Sequence, residues 1–329
     1  MFRTLVRRCV QTQCKRLSKL SDLSHVERRS LSANASTTGG NSKPETVEDM
    51  LKLWFKRFSD AQVYEPLESI ANILASTLNS NKIATVYQER DRKLSTVEMK
   101  NIIEMCKKRL QRMPIQYVIG QWDFRELTLK LRPPVFIPRP ETEILVELAL
   151  NDIKSRDVTC ILEPCCGSGA ISLALLNLLP GLKAVACDKS SKACELTEEN
   201  ASDLKLSGRL EVQQCAIGDI ELKNKFDLII SNPPYVLSKD MMDLQAEILL
   251  FEDLEALDGG LDGLDVVRDI LGVATTYLNR SGKLFLEVDP SHPELIANLL
   301  TGSPSLGLKF ERSHKDFNGV ARFVEIIKT

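Results

Sequence analysis

From residue 159 onward, short apolar runs alternate with longer amphipathic stretches, and this alternation limits the possible folds more than any other feature. Most of the runs are followed directly by a polar residue, as buried strands are. They lie at 159–162, 183–187, 210–215, 226–230 and 283–288. Most are separated by stretches with helical spacing, which predicts an α/β fold with a mainly parallel sheet. A further pair of strands is predicted at 308–313 and 320–327.

The residues before this region predict a small helical domain. Thr46 and Asp49 have the spacing of a capping box, as do Ser95 and Glu98, and apolar residues follow each pair at helical intervals. A further helix is predicted to begin at Pro66, because proline is favoured in a first helical turn. Residues 43–112 are therefore predicted to form an N-terminal helical domain, and its apolar stripes are interpreted as its core rather than as a binding surface. Recognition of a macromolecular substrate is a further role that this domain could have.

A change of pattern separates this domain from the α/β region. Apolar residues alternate at 117–120 and again at 127–131, as in a hairpin. Residues 113–140 are accordingly predicted to form a β-hairpin linker, and residues 141–329 a single α/β domain.

The first 42 residues are strongly basic and rich in serine. They contain eight arginines and lysines against Asp22 and Glu27, a net charge of +6. This composition is typical of a mitochondrial transit peptide, which predicts a location in the mitochondrial matrix. A disordered basic tail that binds nucleic acid is the alternative.

Composition excludes several classes of protein. No apolar stretch reaches the roughly 20 residues that a membrane-spanning helix needs, so no membrane partner is expected. The nine cysteines contain no Cys-x-x-Cys spacing and there are three histidines, which argues against a metal site or a disulfide framework. The whole chain carries a charge of −2, so residues 43–329 carry −8, which argues against direct binding of nucleic acid.

The strongest chemical signal follows the apolar run 226–230. Asn232, Pro233, Pro234 and Tyr235 come directly after it, and two prolines make this strand end rigid. Ligands of open α/β sheets bind beyond the carboxyl ends of strands. The Asn232 side-chain carbonyl and the Pro233 backbone carbonyl could each accept one proton of a planar NH2 group, while the Tyr235 ring covers its plane. This arrangement predicts a binding site that makes an amide or aromatic amine nucleophilic; a simple strand-ending turn is the alternative.

A second turn predicts the cofactor. Gly167 and Gly169 lie between the first strand and its helix, where small residues let a ligand approach the backbone. Asp188 ends the next strand and is placed to accept both hydroxyls of a ribose. Glu163 would repel a pyrophosphate but suits a ligand with an ammonium group. A ligand that combines adenosine, an amino acid and a sulfonium is S-adenosyl-L-methionine.

These motifs together resemble the Rossmann-like class I methyltransferases that depend on S-adenosyl-L-methionine. Asn-Pro-Pro-Tyr is typical of the branch that methylates amino groups. Within it, the chain resembles the HemK/PrmC protein-glutamine N5-methyltransferases over about 114–322. The stretches that carry this resemblance are 114–120, 137–143, 167–171 and 259–264. The resemblance implies an antiparallel C-terminal strand, and methyl transfer to the glutamine of the Gly-Gly-Gln motif in peptide-chain release factors. With the basic N-terminus, it implies the mitochondrial member and mitochondrial release factors as partners.

The resemblance also implies roles for individual residues. Asp188 would hold the ribose, Ile217 would pack on the adenine, and Asn232 would border the cofactor. The residues implied to lie beneath the methionine part are Cys165, Cys166, Gly167, Ser168 and Gly169. Asn232, Pro233 and Tyr235 would be catalytic, and with Pro234 they would hold the substrate amide.

The chain departs from the family pattern at several positions. Cys165 replaces a usual glycine, and Glu163 replaces a more common aspartate. Residues 215–217 replace a stretch that usually holds an acid near adenine. Asp253 stands where the family usually has proline after Glu252.

Two other functions fit the same motifs. An adenine-N6 methyltransferase acting on DNA or RNA would present a similar NH2 group, although the acidic net charge of 43–329 argues against it. A binding module that keeps the fold without turnover would explain the departures at Cys165 and Ala216, but not the intact Asn232 to Tyr235.

Overall fold

The computed structural model describes residues 45–156 and 158–329. The transit peptide predicted at 1–42 lies outside these residues. The α-helices are α1 (Val47–Asp60), α2 (Pro66–Thr77), α3 (Ile83–Gln88), α4 (Thr96–Leu110), α5 (Ile115–Ile119), α6 (Thr142–Ser155), α7 (Ala170–Leu178), α8 (Ser191–Asp203), α9 (Ala246–Phe251), α10 (Asp265–Tyr277) and α11 (His292–Gly302). The strands are β1 (Gln121–Phe124), β2 (Leu127–Lys130), β3 (Cys160–Pro164), β4 (Lys183–Asp188), β5 (Leu210–Gln214), β6 (Phe226–Ser231), β7 (Leu278–Glu287), β8 (Leu308–Lys315) and β9 (Ala321–Lys328).

The chain divides into two compact units. The first comprises the described residues up to Ile119 together with Gln245–Phe251, and the second comprises Gly120–Leu244 and Glu252–Thr329. The segment Gln245–Phe251, which contains α9, was assigned from sequence to the α/β domain, whereas its contacts group it with the helical unit.

The helical unit has its own hydrophobic core, formed by the apolar faces of its amphipathic helices. Trp54, Phe58, Ile70 and Ile102 are fully buried in it. Both predicted capping boxes are confirmed, at Thr46 before α1 and at Ser95 before α4.

A buried arginine holds α9 within this unit. The Arg109 guanidinium donates to Glu247 Oε1 at 3.0 Å, to Ser69 Oγ at 3.0 Å and to the Tyr64 carbonyl at 2.9 Å. Burial lowers the pKa of Arg109, and the Glu247 carboxylate opposes that change. The buried charge is thus matched by acceptors, as burial of an ion pair requires.

The hairpin strand predicted over 117–120 is wrong, because residues 115–119 form a helix. The N–H groups of Tyr117 and Val118 both donate to the Pro114 carbonyl, so the segment starts a helical turn and becomes α5. Val118 belongs to the core of the helical unit. Three consecutive apolar residues fit one buried helical turn as well as a strand, which is why periodicity misassigned them. The hairpin itself is present as β1 and β2, with Phe124 paired to Leu127.

The second unit contains a seven-stranded sheet with the order β5-β4-β3-β6-β7-β9-β8. Strands β3 to β7 pair in parallel, and β9 pairs antiparallel with β7 and β8, which confirms the predicted fold class. Separate hydrophobic clusters cover the two faces: α6 and α7 pack on one, and α10 and α11 on the other. The strands are therefore buried on both faces, as parallel sheets require.

The connectivity creates a crevice between β3 and β6. The chain runs from β3 outward to β5 and then returns to add β6 on the other side of β3. Such a reversal of strand order is where open α/β sheets bind their ligands. Pro164, Asp188, Ser231 and Glu287 all lie at the carboxyl ends of parallel strands, so the chemistry is expected at this edge.

Across residues 45–156 and 158–329, no helix is long and apolar enough to cross a membrane. Over the same residues, no group of three or more His, Cys, Asp or Glu side chains is arranged to hold a metal ion.

Candidate active site

The tip comprising Asn232 to Tyr235 begins where β6 ends. Ser231, the last residue of β6, is buried and donates a hydrogen bond of 2.6 Å from Oγ to the Pro164 carbonyl at the end of β3. This bond crosses the crevice and fixes where the tip starts. Pro233 and Pro234 are buried, whereas Asn232 and Tyr235 are half-buried.

A chain of hydrogen bonds connects the tip to two other elements. The Asn232 side-chain nitrogen donates to Thr142 Oγ1 at 3.1 Å, and that hydroxyl donates to Glu287 Oε2 at 2.8 Å. The Tyr235 hydroxyl donates to the other oxygen of the same carboxylate, Oε1, at 3.1 Å. Thr142 is the first residue of α6 and Glu287 the last of β7, so three elements meet at the tip.

Glu287 is fully buried, with 0% of its surface exposed. Burial raises the pKa of its carboxyl to about 7, although the hydrogen bonds from Thr142 and Tyr235 oppose the rise. Burial and the nearby carboxylate also raise the pKa of the Tyr235 hydroxyl well above its usual value. The tyrosine is therefore a hydrogen-bond donor rather than a base at neutral pH.

Sequence reasoning missed the roles of Thr142 and Glu287. The signal for Glu287 is an acid near the end of the apolar run 283–288, a weaker form of the signal at Asp188, which directly follows its run. Thr142 lies in one of the stretches that carry the family resemblance, but nothing local shows that it faces a residue 145 positions away.

A glycine-rich loop packs against the tip. The Gly259 N–H donates to the Val236 carbonyl at 2.8 Å, and the Val236 N–H donates to the Leu257 carbonyl at 2.9 Å. A Cβ on Gly259 would lie 2.8 Å from the Tyr235 Cα, which only glycine avoids. Gly263 has a φ of +75° and passes equally close to the Tyr235 carbonyl. The glycines at 259–263 thus allow the close packing that holds the tip in place.

One histidine is near the tip in space, although none is near in sequence. A Cβ on Gly263 would meet both the His292 ring, at 2.6 Å, and the Tyr235 carbonyl, at 2.7 Å. His292 is fully buried, and desolvation lowers its pKa. Because the ring is fully buried and packs against the glycine-rich loop, we assign His292 a packing role.

The turn between β3 and α7 lies next to Asp188. The Gly167 N–H donates to Asp188 Oδ2 and the Ser190 N–H to Oδ1, each at 3.0 Å. Burial raises the pKa of Asp188, and these two N–H groups oppose the rise. Cys165, Gly167 and Gly169 all have positive φ, at 60°, 57° and 80°. Cys165 therefore occupies a conformation that favours glycine, the residue usual in the family.

Glu163 lies beneath this turn. It is 1% exposed, and its Oε2 accepts the Ser172 N–H at 2.8 Å. Burial raises the pKa of its carboxyl to about 8. A cation nearby would favour the ionised form.

The adenine position predicted for Ile217 adjoins Asp188. The Cys215 N–H donates to the Asp188 carbonyl at 3.1 Å, which brings 215–217 alongside the end of β4. Ile217 is half-buried and starts a short 3-10 turn, Ile217–Asp219.

The turn and its neighbours fit S-adenosyl-L-methionine. A Cβ on Gly167 would meet nothing within 4 Å, so the turn is open on that side. Asp188 offers carboxylate oxygens at the mouth of the same turn, and Ile217 offers an apolar surface nearby. Carboxylates without a basic cluster suit a sulfonium ligand with ribose hydroxyls better than a pyrophosphate.

The departure at Asp253 has a structural consequence. The Glu252 carboxylate pairs with the Arg139 guanidinium at 2.6 Å and accepts the Ile137 N–H at 3.2 Å. The next residue, Asp253, donates its own N–H to the Pro134 carbonyl at 2.8 Å. Proline has no N–H, so this chain gains a hydrogen bond that the usual family residue cannot form.

Comparison with known proteins gives consistent matches over both units. Residues 140–261 match the Methyltransferase small domain, and residues 49–120 match the PrmC N-terminal domain. The chain is 40% identical over 294 residues to the MTRF1L release factor glutamine methyltransferase of Homo sapiens, which covers 84% of this chain and 86% of that protein.

Bacterial relatives are also similar. The release factor glutamine methyltransferase of Thermodesulfovibrio yellowstonii is 35% identical over 262 residues, covering 78% of this chain and 91% of that protein. That of Streptococcus pneumoniae is 35% identical over 266 residues, covering 80% of this chain and 92% of that protein.

Proposed function

The chain belongs to the family of release factor glutamine methyltransferases, and on that premise we propose its substrate atom, its compartment and its catalytic residues. It is an enzyme that uses S-adenosyl-L-methionine to methylate a glutamine of release factors. The proposed acceptor is the side-chain amide nitrogen, N5, of the glutamine in the Gly-Gly-Gln motif. The proposed substrates are mitochondrial release factors, and the proposed compartment is the mitochondrial matrix.

The observation that carries the proposed chemistry is the tip from Asn232 to Tyr235 at the carboxyl end of β6, next to the crevice beside β3. An amide nitrogen is a poor nucleophile because its lone pair is delocalised into the carbonyl. In our proposal, the Asn232 side-chain carbonyl and the Pro233 backbone carbonyl each accept one amide proton. Pro234 and Tyr235 close the binding site around the amide.

Holding both protons does two things to the substrate. It turns the nitrogen lone pair out of conjugation, and it stabilises positive charge that develops on nitrogen during transfer. When bound, S-adenosyl-L-methionine supplies a methyl group on a positively charged sulfur. The surplus proton of the methylated amide is held at the Asn232 or Pro233 carbonyl until water takes it.

We assign the cofactor to the turn and its surroundings. Asp188 binds the ribose hydroxyls and Ile217 packs on the adenine. The Glu163 carboxylate attracts the ammonium group of the cofactor, and Asn232 lies beside its sulfonium. The backbone beneath the methionine part is that of Cys165, Cys166, Gly167, Ser168 and Gly169.

We also propose a role for each domain. Residues 43–112 recognise the substrate, residues 113–140 form the linker, and residues 141–329 transfer the methyl group.

The substrate is tested by methylation with labelled cofactor. We expect label in a mitochondrial release factor at the glutamine of Gly-Gly-Gln, located by mass spectrometry of the digested protein. The matched control is the same factor with that glutamine changed to alanine, which should take up no label. Label in adenine of DNA, with none in the release factor, would replace this proposal with the adenine-N6 alternative.

The compartment is tested with residues 1–42 fused to a reporter protein. The net charge of +6 should direct the reporter into mitochondria, and the matched control changes Arg3, Arg7 and Arg8 to glutamine. Equal cytosolic distribution of both reporters would contradict a matrix location.

A further inference from the structure

The side-chain amide of Asn232 can point in two ways, and only one of them serves the proposed function. With its oxygen facing the substrate it accepts an amide proton, whereas with its nitrogen facing the substrate it competes with the substrate as a donor. Half-burial at a rigid strand end does not by itself determine the orientation of the Asn232 amide. The hydrogen-bond partners of the amide on its protein side must therefore determine it.

The groups behind Asn232 are Thr142 and Glu287, which are 3% and 0% exposed. An ionised carboxylate has no proton to donate, so the bond between Thr142 and Glu287 takes the single hydroxyl proton of the threonine. Thr142 Oγ1 then offers only lone pairs to its other neighbour. The Asn232 amide has to present its nitrogen to Thr142, at the observed 3.1 Å, and therefore its oxygen to the crevice.

The same carboxylate also fixes the aromatic ring of the tip. The Tyr235 hydroxyl donates to Glu287 Oε1 while Thr142 donates to Oε2, so each oxygen has one donor from a different element. One buried group thereby sets the direction of the Asn232 carbonyl and the place of the Tyr235 ring.

We propose that Thr142 and Glu287 are positioning residues, which hold the Asn232 amide with its carbonyl toward the substrate and the Tyr235 ring across it. This rests on the proposed function of the tip, because it assigns the control of that tip's orientation. Neither residue needs to touch the substrate or the cofactor. They act by raising the fraction of enzyme molecules in which the Asn232 carbonyl faces the substrate and the Tyr235 ring lies across it.

The arrangement depends on the charge of Glu287. Burial raises the pKa of this carboxyl to about 7, so its ionisation falls within the physiological range. The groups that face it are Thr142 and Tyr235, which donate to it, the Arg322 guanidinium on β9, which favours the charge, and Glu141, which opposes it. A protonated Glu287 would donate to Thr142 Oγ1, which frees the threonine hydroxyl to donate to Asn232 Oδ1 and so stabilises the reversed amide. Turnover is therefore expected to rise with pH through about 7.

The first test distinguishes the effect of the Thr142 hydroxyl from the effect of the side-chain volume. Thr142→Val removes the hydroxyl and keeps the volume, and Thr142→Ser keeps the hydroxyl. We expect the single-turnover methylation rate of Thr142→Val to fall about 10- to 100-fold, the scale for misplaced reacting groups, with unchanged affinity for S-adenosyl-L-methionine by calorimetry. Thr142→Ser should restore most of the rate. A valine variant as fast as wild type, or a serine variant as slow as the valine variant, would overturn the proposal.

The second test addresses the carboxylate. Glu287→Gln puts an NH2 donor where both oxygens accept, so its rate should fall and lose the rise between about pH 6 and 8. The matched control is Glu325→Gln, which alters another buried carboxyl, on β9, that pairs with Lys283 and His314 instead. The control should lose stability but keep the wild-type pH profile. The same loss of the pH rise in both variants, or a wild-type rate that does not change through pH 7, would contradict the assignment.

These outcomes differ from failure of the proposed function. If the wild-type enzyme does not methylate the release factor glutamine, the proposed function fails before any variant is compared. If it does and Thr142→Val and Glu287→Gln match it, the function stands and the positioning role is wrong. Should Thr142→Val not fold, the wild-type pH profile and the Glu287→Gln variant still decide the question.

Discussion

Asp188 ends β4 with each carboxylate oxygen already bonded to a backbone N–H, from Gly167 and from Ser190. The carboxylate is thus fixed in place by the backbone, and each oxygen keeps a second lone-pair position for a further donor. In the proposed cofactor site, those two positions would let Asp188 accept from both ribose hydroxyls without a change of rotamer.

If Asp188 holds the ribose, Asp188→Ala should weaken cofactor binding by about 1.5–3 kcal/mol, the range for hydrogen bonds to a charged group. Asp188→Asn keeps one acceptor oxygen and should lie between alanine and wild type. Titration calorimetry measures the affinities, and thermal unfolding confirms that each variant is folded. Wild-type affinity in a folded alanine variant would remove Asp188 from the cofactor site.

The position of Asp188 could be predicted from the sequence, because an acid directly after an apolar strand is a local signal. The pairing of Thr142 with Glu287 was not, since it joins a helix start to a strand end 145 positions away. The positive φ of Cys165 was also out of reach. A cysteine in that conformation is strained by about 1 kcal/mol or more relative to glycine, and only the backbone angle reveals it.

At the scale of the elements, most strands and helices of the α/β region were predicted from their periodicity, and the capping boxes marked two helix starts. A strand was wrongly predicted for the segment that forms α5, because a five-residue helix is too short to show the 3.6-residue period. The assignment of α9 to the helical unit depends on the buried contact of Glu247 with Arg109, which no local pattern shows.

The close packing of the glycine-rich loop against Tyr235 can be disrupted by a single methyl group. Gly259→Ala would put a Cβ 2.7 Å from the Gly263 carbonyl oxygen and 2.8 Å from the Tyr235 Cα, both backbone atoms that cannot move aside cheaply. We expect about 1–3 kcal/mol of lost stability, the range for overpacking, and a lower methylation rate because the tip shifts.

The matched control for this change is Gly272→Ala. Gly272 lies inside α10 with nothing within 4 Å of an added Cβ, so alanine should stabilise the helix by about 0.5–1 kcal/mol. Chemical denaturation compares the two. Equal stability of Gly259→Ala and wild type would show that the loop does not pack on Tyr235 as described.

At the scale of the whole molecule, the buried acids of the site predict how stability depends on pH. The pKa of Glu163 is raised to about 8 and that of Glu287 to about 7, both from 4.5. Above pH 4.5 the folded protein therefore binds more protons than the unfolded chain, so these groups make stability fall as pH rises toward their folded pKa values. Each contributes up to about 1.4 kcal/mol per pH unit.

We expect the free energy of unfolding to decrease between about pH 7 and 8, a window above the usual pKa of histidine, so that the buried His292, whose pKa is lowered, contributes little. Urea denaturation at several pH values measures the slope. Glu163→Gln and Glu287→Gln should each make the slope less negative. A free energy of unfolding that increases over this window would contradict the burial of these two carboxyls.

We infer that the Asn232 carbonyl prepares the substrate amide for methyl transfer, and this claim is tested by single-turnover methylation of the release factor by Asn232→Ala. The variant removes one of two proton acceptors, and the rate at saturating cofactor should fall about 10²–10³-fold, as when one preorganised group is lost from an oxyanion hole. Asn318→Ala, at an exposed asparagine in the turn between β8 and β9, serves as the control and should keep the wild-type rate. A folded Asn232→Ala enzyme that methylates the glutamine as fast as the Asn318→Ala control would contradict the claim.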